Sequence, residues 1–244
     1  MFAQALLGLL AVVELVRADT GPGFPFQVAQ SLNVSFGSNN VSPAGELIPR
    51  PETADPPSIS TPIFTSAGRA VLFMVDSDVP RNGTRVQLLH WLASNVTLSP
   101  TDNRTLSVPG TPEAAYRQPS PPVGDTSHAY TFILFPQPEG FSIPSQFQDV
   151  LESRVFFNIS GFVQAAGLGD ALAGNYIRVQ NLTGSATTTF PPPRATNATT
   201  SGAVPSATGP AQFPGEAVGG FGGGRAFWVG VGAAVVAGVA AVAL

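Results

Sequence analysis

Pro119-Ser120-Pro121-Pro122-Val123-Gly124-Asp125-Thr126-Ser127-His128-Ala129-Tyr130 is a loop set by three prolines that runs straight into a predicted strand. Proline fixes φ and removes a backbone donor, so such a loop is stiff and cannot belong to a helix. In the strand that follows, side chains alternate between faces, which places His128 and Tyr130 on the same side. An imidazole and a phenol delivered together at the end of a rigid loop make a fixed pair of hydrogen-bonding groups.

Upstream, Asp76-Ser77-Asp78-Val79-Pro80 follows the apolar run Val71 to Val75 and reads as a turn where the chain leaves a sheet. The next run, Val86 to Ala93, contains Leu89-His90-Trp91, and alternation points His90 away from both neighbours. Further runs rich in β-branched and aromatic residues lie at Tyr130 to Phe135, Val155 to Phe162 and Tyr176 to Val179. Prolines from Pro43 to Pro62 and from Pro109 to Pro122 exclude long helices there. The class predicted is mainly β, with one short helix over Pro144 to Ser153 and a possible helical turn over Gln164 to Leu172.

Taken in order, the Asp-x-Asp-x-Pro segment, the His-Trp strand and the Pro-Pro-x-Gly-x-x-x-His-x-Tyr segment resemble the signature of the phosphatidylethanolamine-binding protein family. The resemblance extends to Asn33-Val34-Ser35-Phe36, to Pro56-Pro57-Ser58-Ile59 and to Gly167 through Tyr176, and so covers most of residues 28 to 180. It is greatest with the secreted fungal branch. It implies a β-sandwich in which a large antiparallel sheet packs on a smaller one, with a pocket formed by Asp76, His90, Pro122, His128 and Tyr130. Trp91 is expected to pack nearby without touching ligand. Ala129 stands where the family usually has arginine, and Ser77 and Ala171 each replace a frequent proline, which puts loop rigidity and any ion pair of that arginine in question.

The chemistry of the pocket follows from its residue types. Imidazole N–H groups, a phenolic hydroxyl and loop amides suit a phosphate or another small anion, while Asp76 can orient a histidine or meet an ammonium group. The candidate ligand-binding residues are therefore Asp76, Asp78, His90, Pro122, Gly124, His128 and Tyr130. His90 and His128 are the only histidines in the chain. The bland alternative is that both are core groups satisfied by backbone and that Asp76 and Asp78 cap a turn.

No catalytic residue is assigned. The chain has no cysteine, no Gly-x-Ser-x-Gly elbow and no His-Glu-x-x-His motif. Two aspartates and two histidines suit several divalent ions, but their spacing demands none, so neither metal nor cofactor is assigned. All eleven basic residues are arginine, the formal charge is −4, and no basic block exists that would track a nucleic-acid backbone.

Residues 1–18 carry an apolar run and then Val16-Arg17-Ala18, which reads as a signal peptide cleaved after Ala18, with a short buried helix as the alternative. The domain spans 19–182. Residues 183–225 form a Ser/Thr/Pro/Gly-rich disordered stalk, expected to carry O-linked sugar. Residues 226–244 are apolar and follow Arg225 and a glycine-rich spacer, which reads as an attachment signal for a glycolipid anchor or, alternatively, as a membrane span. Eight Asn-x-Ser/Thr sequons occur. Asn33, Asn40, Asn82, Asn95, Asn103, Asn181 and Asn197 are the expected glycosylation sites. Asn158 falls inside a predicted strand and is set aside.

The expectation is a cell-surface protein that binds a phospholipid headgroup or a small anion and is held to the membrane through its C-terminal end, without nucleic acid. Two alternatives stand beside it. One is an extracellular serine protease inhibitor, since some members of the resembled family inhibit proteases or kinases through surface loops. The other is a cell-wall glycoprotein whose pocket is idle.

Overall fold

The computed structural model describes residues 19–63 and 68–194. The expected leader, the stalk beyond Arg194 with Asn197, and the apolar segment 226–244 lie outside the described residues. Nine strands are present among them: β1 (Asn33–Phe36), β2 (Asn39–Asn40), β3 (Glu46–Leu47), β4 (Ser58–Ser60), β5 (Ala70–Arg81), β6 (Thr84–Leu98), β7 (Leu106–Ser107), β8 (His128–Pro136) and β9 (Ala173–Val179). Two helices, α1 (Gln148–Ser153) and α2 (Ile159–Ala165), accompany them.

The strands form a three-stranded sheet in the order β2-β1-β4 and a six-stranded sheet in the order β3-β9-β8-β5-β6-β7. The large sheet is mixed, where a wholly antiparallel one was expected, because the two-residue strand β3 pairs parallel with β9. Its centre is antiparallel, with Phe73 opposite Leu92 on one side and Ile133 on the other.

Alternation on β5 and β8 builds two cores on the two faces of this sheet. Leu72, Met74, Phe132 and Leu134 face the small sheet and meet Val34, Phe36 and Ile59. Val71, Phe73, Val75, Ile133 and Phe135 face the helical layer and meet Phe147, Phe157 and Phe162. Phe73 packs edge-on to Phe162 and Phe135, with ring centroids 5.3 and 5.8 Å apart. Burying each such ring contributes about 1.5–3 kcal/mol, and these cores hold a domain that has no disulfide.

Three local readings are corrected. The segment Asp76 to Pro80 is not a turn; it lies inside β5, which continues to Arg81 and reverses at Asn82-Gly83. Those two residues take positive φ, 50° and 75°, as a tight hairpin between Arg81 and Thr84 requires. The run Val155 to Phe162 is not a strand, because Ile159, Phe162 and Val163 bury one helical face of α2 and Asn158 caps its start by accepting the Gly161 N–H at 3.0 Å. Finally, Leu89 and Trp91 do not share a face. The register slips by one residue between Val75↔Leu89 and Met74↔Trp91, so a bulge at His90 sends Leu89 to one core and Trp91 to the other.

Candidate binding site

A second irregularity shapes the site. Along β5 the pairing runs Asp76↔Leu88 and then resumes at Val79↔Val86, so Ser77 and Asp78 sit in a bulge. Asp76 stands at its start, directly opposite Tyr130 on β8. Its carboxylate accepts the Asp78 N–H at 2.7 Å through Oδ1 and His128 Nδ1 at 2.9 Å through Oδ2. The other ring nitrogen of His128 meets Asp125 Oδ2 at 3.0 Å, and Asp125 receives both arms of the Arg85 guanidinium at 2.6 and 2.7 Å. Asp76, His128, Asp125 and Arg85 thus form a row of alternating charge whose side chains are at most 5% exposed.

Burial alone pushes the His128 pKa down, but the carboxylates at both ring nitrogens outweigh it and the net direction is up. Burial likewise pushes Asp125 up, and the bonds from Arg85 and His128 overturn it, so its carboxyl is held below the ordinary value. His128 is therefore an imidazolium with both N–H groups already committed. It is a buried positive charge, where the sequence suggested a free donor.

His90 has the opposite character. Its Nδ1 donates to the Arg117 carbonyl at 2.8 Å, and burial holds its pKa below the ordinary histidine value despite nearby Asp76. That pattern leaves Nε2 as a bare lone pair in the neutral ring, and this atom is buried without a partner. The Tyr130 hydroxyl is buried and unpartnered in the same way, and burial, with Asp76 beside it, raises its pKa well above normal. The two rings meet edge-on, 5.0 Å between centroids.

These groups open into one cavity of about 270 Å³. Asp76, His90, His128, Tyr130 and Pro122 line it, together with Arg81, Arg117, Gln118 and Ser120. Asp78 and Gly124 do not line it. Asp78 turns behind the strand to accept the Ala129 N–H at 2.8 Å, and burial raises its pKa. Gly124 takes φ +81° and lies against Ala186, where any side chain would collide. Trp91 packs edge-on to Tyr116 at 5.6 Å and is absent from the cavity.

Two features escaped the sequence reading, a pair of wall arginines and a buried ion pair. Arg81 and Arg117 were invisible because nothing in their local pattern marks a cavity wall. The Arg85–Asp125 pair was invisible because its members are forty residues apart. A sign of it was present, since Asp125 closes the proline-set loop and an acid buried there needs a cation.

Of the sequon asparagines, Asn33, Asn40, Asn82, Asn95 and Asn103 are exposed, and so is Asn158, set aside above as a strand residue but instead the cap of α2. Asn181 is half-buried, and its side-chain nitrogen donates to the Pro121 carbonyl at 3.2 Å. The chain beyond it, read as stalk from 183, continues over the domain surface to Arg194. Gly184 approaches Val123, Ala186 covers Gly124, and Thr188 to Pro191 face the β5–β6 hairpin.

Residues 20–187 match the sequence model of a family described as phosphatidylethanolamine-binding protein. A protein of Talaromyces stipitatus named phomoidride biosynthesis cluster protein N is 34% identical over 188 residues, covering 70% of this chain and 93% of its own length. A protein of the same name from another fungus (Fungal sp.) is 38% identical over 112 residues, covering 44% of this chain and 51% of its own. The crystal structure of carboxypeptidase Y inhibitor in complex with its cognate proteinase shares the fold with a TM-score of 0.51. It is 20% identical and covers 64% of this chain and 85% of that one.

Proposed function

The chain belongs to the phosphatidylethanolamine-binding protein family, and from that premise we propose that it binds the phosphate of a phospholipid headgroup, or another small anion, and carries out no chemistry on it. The observation that carries the reading is the pair of unpartnered buried atoms, Tyr130 Oη and His90 Nε2, in a cavity walled by Arg81 and Arg117. A buried polar atom without a partner costs about 1–3 kcal/mol, and a ligand that satisfies both atoms at once recovers that cost. An inorganic phosphate or phosphomonoester monoanion fits, because one oxygen accepts from Tyr130 while its P–OH donates to His90. A headgroup phosphodiester has no P–OH, and there the ethanolamine ammonium supplies the donor to His90.

The ligand-binding groups in this proposal are Asp76, His90, Pro122, His128 and Tyr130. Asp76 and His128 fix the geometry and charge behind the wall, while His90 and Tyr130 make the contacts. Asp78 and Gly124 support the bulge and the loop. A cavity of about 270 Å³ takes a headgroup and leaves acyl chains outside. We further propose that the protein acts at the cell surface, exported by residues 1–18, held by 226–244 and glycosylated at exposed sequons.

Calorimetric titration of the purified protein with inorganic phosphate, phosphoethanolamine and a short-chain phosphatidylethanolamine tests the reading. His90→Ala and His128→Ala accompany it, each checked for folding. A small organic acid belongs in the series because the relative from Talaromyces is a biosynthesis cluster protein. Binding by the parent and loss in both variants is expected, with affinity for inorganic phosphate falling from about pH 5 to about pH 8 as the phosphate loses the proton that it donates to His90. A parent that binds none of these ligands overturns the proposal. In that case the second reading, inhibition of a protease through surface loops, moves ahead on the fold it shares with carboxypeptidase Y inhibitor.

A further inference from the structure

The bulge that aims Asp76 interrupts the β5–β6 ladder, and its carbonyls need donors from elsewhere. Two guanidinium groups supply them. Arg85 Nη1 reaches the Asp78 carbonyl at 2.7 Å. Arg194 reaches the Ser77 carbonyl from Nε and Nη2 at 3.2 and 3.0 Å, and the Arg85 carbonyl from Nη2 at 3.3 Å.

Arg85 also holds the segment that delivers Arg194. Its Nη2 donates to the Pro191 carbonyl at 2.6 Å and its Nε to the Pro192 carbonyl at 3.3 Å. With both bonds to Asp125 and the one to Asp78, all five of its N–H donors are used. Ala129 offers no cation on the neighbouring strand, so the positive charge beside the bulge comes from Arg85 and Arg194.

We propose that residues Asn181–Arg194 are a clamp belonging to the binding site, and that Arg194 is a positioning residue that sets the Ser77–Asp78 bulge and, through it, the Asp76–His128 pair. The functional unit then ends at Arg194, beyond both the domain boundary expected at 182 and the segment matching the family. The clamp's effect on ligand affinity rests on the anion-binding reading above; its effect on His128 does not. Around His128 the charged groups are Asp76 and Asp78 on β5, Arg85 on β6 and Asp125 in the loop before β8. Any shift in the bulge therefore alters how His128 titrates.

The test compares the full chain with Arg194→Gln and Arg194→Lys, reading His128 titration by NMR and inorganic phosphate affinity by calorimetry. Gln at 194 is expected to lower the His128 pKa and weaken phosphate binding about tenfold, the size of coupling seen between residues of one network. Lys, which keeps the charge but not the fork, is expected to restore the titration in part. If the parent binds no phosphate, the His128 shift alone decides the clamp. A Gln variant with unchanged His128 titration and affinity within about twofold of the parent overturns the proposal, even if its melting temperature falls, because Arg194 would then be only a fastening.

Discussion

Replacing Tyr130 by Phe separates binding from folding. The hydroxyl is fully buried and unpartnered, so the folded protein carries most of its desolvation cost, about 1–3 kcal/mol. Phe fills the same space beside His90 and His128, whose rings lie 5.0 and 6.4 Å away, without that cost. Stability should stay level or rise by up to about 1 kcal/mol, which is a gain of about 2–4 °C in melting temperature for a domain of this size. Phosphate, deprived of a donor to a charged oxygen, should lose about 1.5–3 kcal/mol, or about 10- to 150-fold in affinity. Scanning calorimetry and isothermal titration on one preparation read both. A variant that melts lower while binding phosphate as tightly as the parent would refute the reasoning, because the hydroxyl would then serve the fold and not the ligand.

Further outcomes follow from the same network. His128 has a folded-state pKa above its ordinary value of 6.5, so its contribution is complete below about pH 6.5 and is lost as pH rises through the raised value. The melting temperature of the parent should fall over that window relative to His128→Gln, and parallel pH profiles would exclude the charged pairing. Arg85→Gln leaves the buried Asp125 carboxylate without its cation and several carbonyls without the five-donor fork; a loss of about 3–5 kcal/mol in urea unfolding is expected, as for a broken buried pair. Asn158→Ala should cost about 1 kcal/mol through the lost cap of α2. Ser160→Ala, which also abolishes the sequon, should cost far less, and equal losses would point to glycan instead of capping.

The long central strands were legible because Val71 to Val75 and Tyr130 to Phe135 are buried throughout, and Val86 to Ala93 and Tyr176 to Val179, though partly exposed, are rich in apolar residues. The two- and three-residue strands β2, β3, β4 and β7 carry too few side chains for any period. Segment 155–162 misled because Phe156, Phe157 and Ile159 favour strands locally, while packing of Phe162 on Phe73 and Phe147 draws the chain into a helix. That Asp76, His90, Pro122, His128 and Tyr130 lie together was what the family resemblance of three short segments implied, and all five line one cavity. What those segments could not reveal was the use of each atom, because the partners of His128 are set by the Asp76 bulge and by Arg85. The clamp was missed for a compositional reason: a run of Thr, Pro and Gly has nothing to bury, yet its carbonyls and one terminal arginine hold it down. The five donors of a planar guanidinium reach several carbonyls at once, as Arg85, Arg154 and Arg194 do, while Arg178 holds the Gly45 carbonyl. That use accords with a chain whose eleven basic residues include no lysine.

The outermost strands of the large sheet, β3 and β7, are each two residues long. Beyond the stub β7 the outer edge of β6 is taken by loop backbone, with Leu92 paired to Ala114, Leu89 N–H donating to the Arg154 carbonyl and Arg117 N–H to the His90 carbonyl, so little of a free row of N–H and C=O groups remains on which a second molecule could add a strand. For a domain without disulfides, any partial opening exposes apolar strands from Val71 to Phe135, and blunt borders deny those strands a template for polymerisation. Replacing Pro109 with a residue that can donate a hydrogen bond, and so lengthening β7, is expected to speed fibre growth under partly unfolding conditions, and growth no faster than the parent's would count against this.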